Sequence, residues 1–212
     1  MKKKLLSLLM AGAMVASTSV NAFATDKVIN GSETAEHETN ISITGDVENN
    51  QGEVKPGNLH VTVPTAAAFT VTKEGNFNTA PITITNGGTQ SIDVYAHAFT
   101  DVTADSGITI VKESEADSNA NRTKLSLKIN GNNGTAYLGS NPGTYKEGIY
   151  NDAELSSPVQ SSVNPIKLSV VGANGGTDSL ILTGKVGSAE EEIENPVQDK
   201  FTLVLKIKKT DK

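Results

Sequence analysis

Residues 61–90 read VTVPTAAAFTVTKEGNFNTAPITITNGGTQ and contain three short segments in which apolar and polar residues alternate. The apolar members are mostly β-branched or aromatic, and threonine fills most positions between them, a composition that favours strands. Pro64 and Pro81 mark strand ends, and Gly87-Gly88 predicts a hairpin. The stretch contains no His or Cys, so it predicts a scaffold rather than a reactive site.

The same two-residue alternation recurs along the rest of the chain in about ten segments bounded by Gly, Asn, Asp or Pro. One polar face per strand argues against a parallel sheet covered on both sides. The predicted fold is all-β, an antiparallel β-sandwich, Ig-like or jelly-roll-like, of about nine to eleven strands. In residues 91–99, SIDVYAHAF, the alternation predicts one face of Ile92, Val94, Ala96 and Ala98, and an opposite face of Asp93, Tyr95, His97 and Phe99.

The first 24 residues have the features of a secretory signal peptide. Residues 2–4 are lysines, residues 5–16 are mostly apolar, and Ala22 and Ala24 supply the small residues of a cleavage site. An uncleaved anchor is the alternative, but the apolar segment is short for a membrane span. Residues 25–38 then predict a flexible polar arm, and residues 39–212 a single β-sandwich domain.

Charge and cysteine content indicate which partners and which cellular location to expect. Loss of the three leader lysines would change the formal net charge from −6 to −9, and Arg122 is the single arginine. Because phosphate binding needs clustered cations, nucleic acid is not an expected partner. The chain has no cysteine, so disulfides contribute nothing to its stability. We expect a secreted protein, extracellular or associated with the cell surface of a Gram-positive bacterium, with no stable membrane insertion after cleavage.

Candidate catalytic and metal-binding groups are few. The three histidines have no ligand spacing, and the chain contains neither a G-x-S-x-G motif nor a cysteine nucleophile. No pair of carboxylates is placed for glycoside hydrolysis, so we do not expect an enzyme or a cofactor. Asp101, Asp105 and Asp117 are the candidates for calcium ligands, and a solvated acidic loop is the simpler interpretation.

Two groups of residues are candidate partner contacts. Ala66, Ala67 and Ala68 are small, and leave room for a crossing strand of the same chain or for a strand from a neighbour. Tyr137, Tyr145 and Tyr150 lie in a segment rich in Gly and Asn. Tyrosines in such a segment either stack on a ligand or pack back against the domain.

The motif VTVPTAAAFTV, followed by GNFNTAPITITNGGTQSIDVYAHAF, resembles the surface β-sandwich proteins that Firmicutes export. These include WxL-like domains and, more remotely, the TasA/camelysin-type fibre proteins of biofilms. The resemblance covers residues 57–102, and the chain also ends on a similar strand, FTLVLKI. It implies a non-enzymatic protein of the cell surface or extracellular matrix. The chain has no Trp, so the W-x-L motif itself, and the wall binding credited to it, are not implied.

The expected function is a structural protein, a fibre or pilus subunit that assembles with itself, or with other surface proteins or the cell wall, by strand donation. Ile41, Ile43 and Val47 are the candidate donor residues. Residues 40–47 have a second interpretation, since sequential strands usually pair locally, within their own domain. The alternative function is a soluble extracellular binding module, an adhesin for a glycan or a host protein.

Overall fold

The computed structural model describes residues 26–31, 37–42, 59–72, 74–102, 107–117, 121–140, 146–160, 162–187, 197 and 199–210. These residues form a largely antiparallel sandwich of β-strands, which confirms the predicted all-β class. In the described ranges no residue is helical, and accordingly none of them belongs to a helix that could cross a membrane.

The described ranges contain fifteen strands rather than about nine to eleven, because several are only two or three residues long. In chain order they are β1 (Asp26–Gly31), β2 (His37–Ser42), β3 (Leu59–Pro64), β4 (Phe69–Val71), β5 (Phe77–Thr79), β6 (Ile82–Asn86), β7 (Ile92–Asp101), β8 (Thr109–Ile110), β9 (Lys124–Leu125), β10 (Leu127–Asn130), β11 (Thr135–Gly139), β12 (Gly148–Tyr150), β13 (Ile166–Val171), β14 (Gly176–Thr183) and β15 (Phe201–Lys209).

Two large sheets make up the sandwich. One has seven strands in the order β1-β3-β6-β14-β10-β11-β12, and the other has four in the order β13-β7-β15-β2. Strands β4 and β5 form a small antiparallel hairpin, and β8 and β9 form a short parallel pair. Every pairing within the two large sheets is antiparallel, as a chain of short strands with one polar face predicts.

The core lies between the large sheets and consists mainly of Val, Ile and Leu. In β15, for example, Phe201, Leu203, Leu205 and Ile207 are at most 1% exposed, and the residues between them are half-buried. In β6 the same pattern buries Ile82 and Ile84. The threonines of β6 lie on the opposite face, as the alternation in residues 61–90 predicts.

Four phenylalanines form a continuous stack at one part of this core. The ring centroids of Phe69 and Phe77 are 5.1 Å apart, those of Phe69 and Phe201 6.4 Å, and those of Phe99 and Phe201 5.5 Å. The stack joins the small β4–β5 hairpin to the four-stranded sheet, because Phe99 and Phe201 belong to β7 and β15. Phe201 is the one member with ring neighbours on both β7 and the hairpin.

The prediction of a hairpin at Gly87-Gly88 is wrong. Strand β6 pairs with β3 and β14, whereas β7 pairs with β13 and β15, so the connection passes from one sheet to the other. The side chain of Asn86, which is fully buried, holds this crossing. Its Nδ2 donates to the carbonyls of Gln90 (2.8 Å), Gly172 (3.0 Å) and Val171 (3.3 Å), and its Oδ1 accepts from the Gly88 N–H (3.0 Å).

Strand β7 also departs from strict alternation. Ile92, Val94 and Ala96 face the core as predicted, but so does Phe99, which is 2% exposed. The register with β15 shifts at this point: Val204 lies opposite Ala98, and the next residue, Leu205, lies opposite Ala96. His97 therefore has no facing residue on β15. A bulge of this kind reverses which face the following residues occupy, so it moves Phe99 from the predicted polar face to the core.

The N-terminal segment differs from the flexible arm expected over residues 25–38. Strand β1 occupies Asp26–Gly31, and β2 begins at His37. Residues 26–31 and 37–42 show no clear alternation of apolar and polar residues. Their strand structure comes from backbone pairing with β3 and β15 rather than from a local sequence pattern. The expected signal peptide, residues 1–24, and the connection from 43 to 58 lie outside the described residues.

Candidate assembly interface

The outer strands of the two sheets form the candidate site, because an outer strand has backbone groups that can pair with another chain. Strands β1 and β12 border the seven-stranded sheet, and β13 and β2 border the four-stranded sheet. In the described ranges β1 and β2 are the first two strands. The N-terminal segment therefore supplies one outer strand to each sheet.

Both N-terminal strands pair along their whole length. The register of β1 on β3 runs from Asp26 opposite Pro64 to Gly31 opposite Leu59. Strand β2 pairs with β15 from His37 to Ser42, and Ile41, one of the predicted donor residues, lies opposite Leu203. Ile43 and Val47, the other two predicted donors, lie outside the described residues. Within a single chain, the β2 pairing matches the interpretation in which this segment pairs within its own domain.

The other two outer strands are covered by loops of the same chain. Next to β12, the Val159 N–H donates to the Ile149 carbonyl at 2.7 Å, and Tyr150 forms a β-bridge with Pro158. Next to β13, the connection between β10 and β11 contacts the strand edge through residues 131–134. The N-terminal strands therefore fill the two edges that the rest of the described chain leaves open.

The three alanines proposed as a partner contact lie mostly inside the chain. Ala66 and Ala67 are 9% and 5% exposed, and Ala67 belongs to the hydrophobic core. Ala68 is half-buried, and its carbonyl accepts a hydrogen bond from Thr79 Oγ1 at 3.2 Å. Their small side chains make room for neighbouring parts of the same chain rather than for a strand from a neighbour.

The tyrosines are not gathered on one exposed surface. Tyr150 is 1% exposed, and its hydroxyl donates to the Lys146 carbonyl. Tyr137, opposite Tyr150 in the β11–β12 pair, is half-buried, and Lys128 Nζ lies 5.6 Å from its ring centroid. Tyr145 lies outside the described residues. Burial of the Tyr150 ring removes one of the three side chains on which a glycan-binding or adhesin role would depend.

Two of the three calcium candidates, Asp101 and Asp117, lie in the described ranges, in different segments of the chain. Asp101 ends β7 and accepts a hydrogen bond from Ser140 Oγ at 3.1 Å. Asp117 follows a turn in a different segment, and Asp105 is not among the described residues. In the ranges that the structure describes, no three His, Cys, Asp or Glu side chains come close enough together to hold a metal ion.

A polar cluster that the sequence did not predict lies on the outer face of the four-stranded sheet. Asp93 is 3% exposed although it faces away from the core. Its Oδ2 forms an ion pair with Lys167 Nζ at 2.7 Å and accepts the Tyr95 hydroxyl at 3.0 Å, while its Oδ1 accepts Thr210 Oγ1 at 2.7 Å. The Nζ atoms of Lys167 and Lys208 lie 5.8 and 5.5 Å from the Tyr95 ring centroid. The cluster therefore links β13, β7 and the end of β15.

These contacts fix the charges of the cluster. Burial alone would raise the pKa of Asp93, but hydrogen bonds from Lys167, Thr210 and Tyr95 outweigh it, and the pKa lies below the usual value. The hydrogen bond to Asp93 raises the pKa of Lys167. Burial, reinforced by the hydrogen bond to Asp93, raises the pKa of Tyr95. Near neutral pH Asp93 and Lys167 are thus both charged, which suits a structural link rather than proton transfer.

We expect Asp93→Asn to lower the free energy of unfolding by about 1–3 kcal/mol near pH 7, because it weakens three hydrogen bonds to a buried charge. The pKa of Asp93 is lower in the folded state, so its contribution is complete above about pH 4 and is lost as the pH falls through the folded pKa. The gap between wild type and variant should therefore close in acid. The raised pKa of Lys167 places the corresponding alkaline loss above about pH 10.

Urea unfolding of both proteins at a series of pH values measures this difference. Glu113→Gln is the matched control, because Glu113 forms a longer and more exposed ion pair with Lys128 (3.9 Å). It should change stability by no more than about 0.5 kcal/mol. A gap between wild type and Asp93→Asn that stays constant from pH 7 into acid would contradict the assigned role of the carboxylate.

One shallow cavity of about 280 Å³ lies in the loop after β12. Asn151, Asn164, Val163 and residues 157–160 line it. None of these side chains titrates near neutral pH, so the cavity offers no acid, base or charged metal ligand.

Comparison with known proteins gives no match among family models, curated proteins or solved structures. The resemblance of residues 57–102 to exported surface proteins therefore stays a prediction from motifs. Function is inferred from the geometry of the strand edges.

Proposed function

We propose that this chain is a secreted, non-enzymatic structural subunit of a cell-surface or matrix assembly, and that copies of it join by exchanging their N-terminal strands. One observation carries the proposal: β1 and β2, consecutive strands of the chain, each form one outer strand of a different large sheet. The remaining two sheet edges are covered by the chain's own loops. Exchange of one N-terminal segment would thus replace the strands paired with β3 and with β15 together.

The edge of β15 is the stronger acceptor of the two. Alternate residues of β15 are at most 1% exposed, so this strand is fixed in the core whether or not β2 is paired to it. An unpaired β15 would leave a row of backbone N–H and C=O groups open to another strand. The matching strand from a second copy would satisfy the same groups in the same register.

Closed and exchanged forms contain the same strand pairs, so protein concentration and the connection between segments decide the balance. Residues 43–58 connect β2 to β3. A connection of that length spans at most about 55 Å when extended, and a six-residue strand is about 20 Å long. The connection is therefore long enough for β2 to reach a neighbouring subunit.

A cysteine pair tests the exchange directly, because the chain has no cysteine of its own. Asn40 and Val204 are opposite each other across β2 and β15, and facing residues of an antiparallel pair lie within disulfide reach. In residues 25–212 carrying Asn40→Cys and Val204→Cys, oxidation of monomers should close the disulfide within one chain. Oxidation of assembled protein should instead give a ladder of covalent oligomers on a non-reducing gel.

Thr83→Cys with Ser179→Cys is the matched control, because these facing residues join β6 to β14 and neither strand pairs with β1 or β2. This pair should close within one chain in monomers and in assemblies alike. Monomers oxidised at positions 40 and 204 should not assemble until a reductant is added. Assembly of these locked monomers, or the absence of higher-order species by sizing and electron microscopy under all conditions, would rule out strand exchange.

A form that lacks residues 25–47 provides a second measurement. We expect it to be less stable than residues 25–212 and unable to form polymers, since it has no strand to donate. If both forms remain monomeric and equally stable, the N-terminal strands have no role in assembly.

A further inference from the structure

The connection between β10 and β11, residues 131–134, covers the outer edge of β13 although the two belong to different sheets. Asn132 is the main contact, because its side chain bonds both backbone groups of one β13 residue. Its Nδ2 donates to the Val170 carbonyl and its Oδ1 accepts the Val170 N–H, both at 3.1 Å. Two facing residues of an antiparallel pair exchange bonds in this same way. The Asn132 amide thus occupies the place that a strand residue would take.

The next two residues extend this contact along the edge. The N–H groups of Asn133 and Gly134 both donate to the Leu168 carbonyl, at 2.9 and 3.2 Å. Leu168 and Val170 are alternate residues of β13, and their bonded groups point away from β7. The connection therefore takes backbone groups on the side of β13 where another strand would bind.

Two glycines allow this close approach. A Cβ on Gly131 would lie 2.2 Å from the Leu168 carbonyl oxygen, and a Cβ on Gly134 would lie 2.3 Å from the Lys167 carbonyl oxygen. Both distances are too short for any side chain. Glycine at both ends of the connection thus lets its backbone lie directly on the strand edge.

We propose that residues 131–134 act as an edge cap that prevents a second copy of this chain from adding a strand to β13. Strand β13 has the composition of an adhesive edge, because IKLSVV is mostly β-branched or apolar and carries one charge. A covered edge on one side of the four-stranded sheet confines intermolecular pairing to the other side, where β2 pairs with β15. The statement about the direction of assembly rests on the proposed strand exchange, whereas the cap itself does not.

The test uses monomers locked by the disulfide between positions 40 and 204, so that β2 cannot leave. In this background Asn132→Ala removes both bonds to Val170. A second variant shortens residues 131–134 to Asn-Gly, a two-residue turn that joins antiparallel strands and withdraws the connection from β13. Both variants should form dimers or larger species with increasing concentration, measured by sizing with light scattering, while the locked parent stays monomeric. Hydrogen exchange of the Val170 amide should be about tenfold faster in Asn132→Ala monomers.

Asn133→Ala is the control, because it keeps the backbone N–H that bonds Leu168, and it should behave as the locked parent. If both cap variants remain monomeric at all concentrations, the cap does not prevent association and the proposal is overturned. The proposal also fails if Val170 exchange is unchanged in Asn132→Ala, because the amide bond then does not protect the edge. Neither result depends on exchange of β2, so failure of the proposed function would appear separately, in the unlocked protein.

Discussion

Replacement of Phe201 by alanine should lower the free energy of unfolding by about 3–5 kcal/mol, the largest effect that we expect from one substitution in this chain. The side chain is 1% exposed, and its ring stacks on those of Phe99 and Phe69. Its loss would leave a cavity between β7, β15 and the β4–β5 hairpin. Phe69 of the hairpin would lose its ring contact with the four-stranded sheet. We expect the surrounding strands to close the cavity only in part.

Urea unfolding measures this loss, with Val204→Ala as the control from the same strand. Val204 lies on the half-buried outer face of β15, so its truncation should cost less than about 1 kcal/mol. Similar losses for the two variants would contradict the large contribution to stability that we assign to the Phe201 ring. Because β15 is also the proposed acceptor of β2, Phe201→Ala should weaken assembly as well as folding.

Replacement of Asn86 by alanine should cost about 3 kcal/mol, because several fully or partly buried backbone groups lose their partner together. The affected groups are the carbonyls of Gln90, Val171 and Gly172 and the N–H of Gly88. Asn86→Asp should cost at least as much, since a carboxylate oxygen would then face three carbonyl oxygens. Chemical unfolding near neutral pH provides the measurement.

Asn130 supplies the control for this prediction. Its side-chain amide donates to Thr183 Oγ1 at 2.9 Å and to the Ile181 carbonyl at 3.3 Å, but on the outer face of the seven-stranded sheet. Water can replace these bonds, so Asn130→Ala should cost less than about 1 kcal/mol. An equally small loss for Asn86→Ala would mean that the crossing between the sheets does not depend on the buried amide.

The candidate site was predicted only in part. The sequence indicated that the segment around Ile41 either donates a strand or pairs locally, and the structure pairs β2 with β15 in the same chain. It gave no sign of β1, because residues 26–31 do not alternate. It also offered no reason to select Asn132, since an Asn-rich turn is common between strands and its contact with Val170 joins residues 38 positions apart.

The cluster around Asp93 was missed for a related reason. Alternation predicts that Asp93 and Tyr95 share the outer face of β7, and solvent is the expected environment of an outer face. What buries Asp93 is Lys167 on β13 and Thr210 beyond β15. A two-residue pattern reports the face of a strand, but it carries no information about which strands lie on either side.

The amino-acid sequence by itself determined that this protein is built from short strands with one apolar face, because side-chain direction alternates within a strand and needs no distant partner. Residues 61–90 already contain that pattern. Only the tertiary structure decided that Gly87-Gly88 crosses between sheets, that the bulge at His97 moves Phe99 into the core, and which edges stay open. Each of these features depends on contacts between residues far apart in the chain: the buried Asn86 amide, the β7–β15 register and the Asn132 contact. Local alternation is compatible with several arrangements of the strands, and these contacts stabilise one of them.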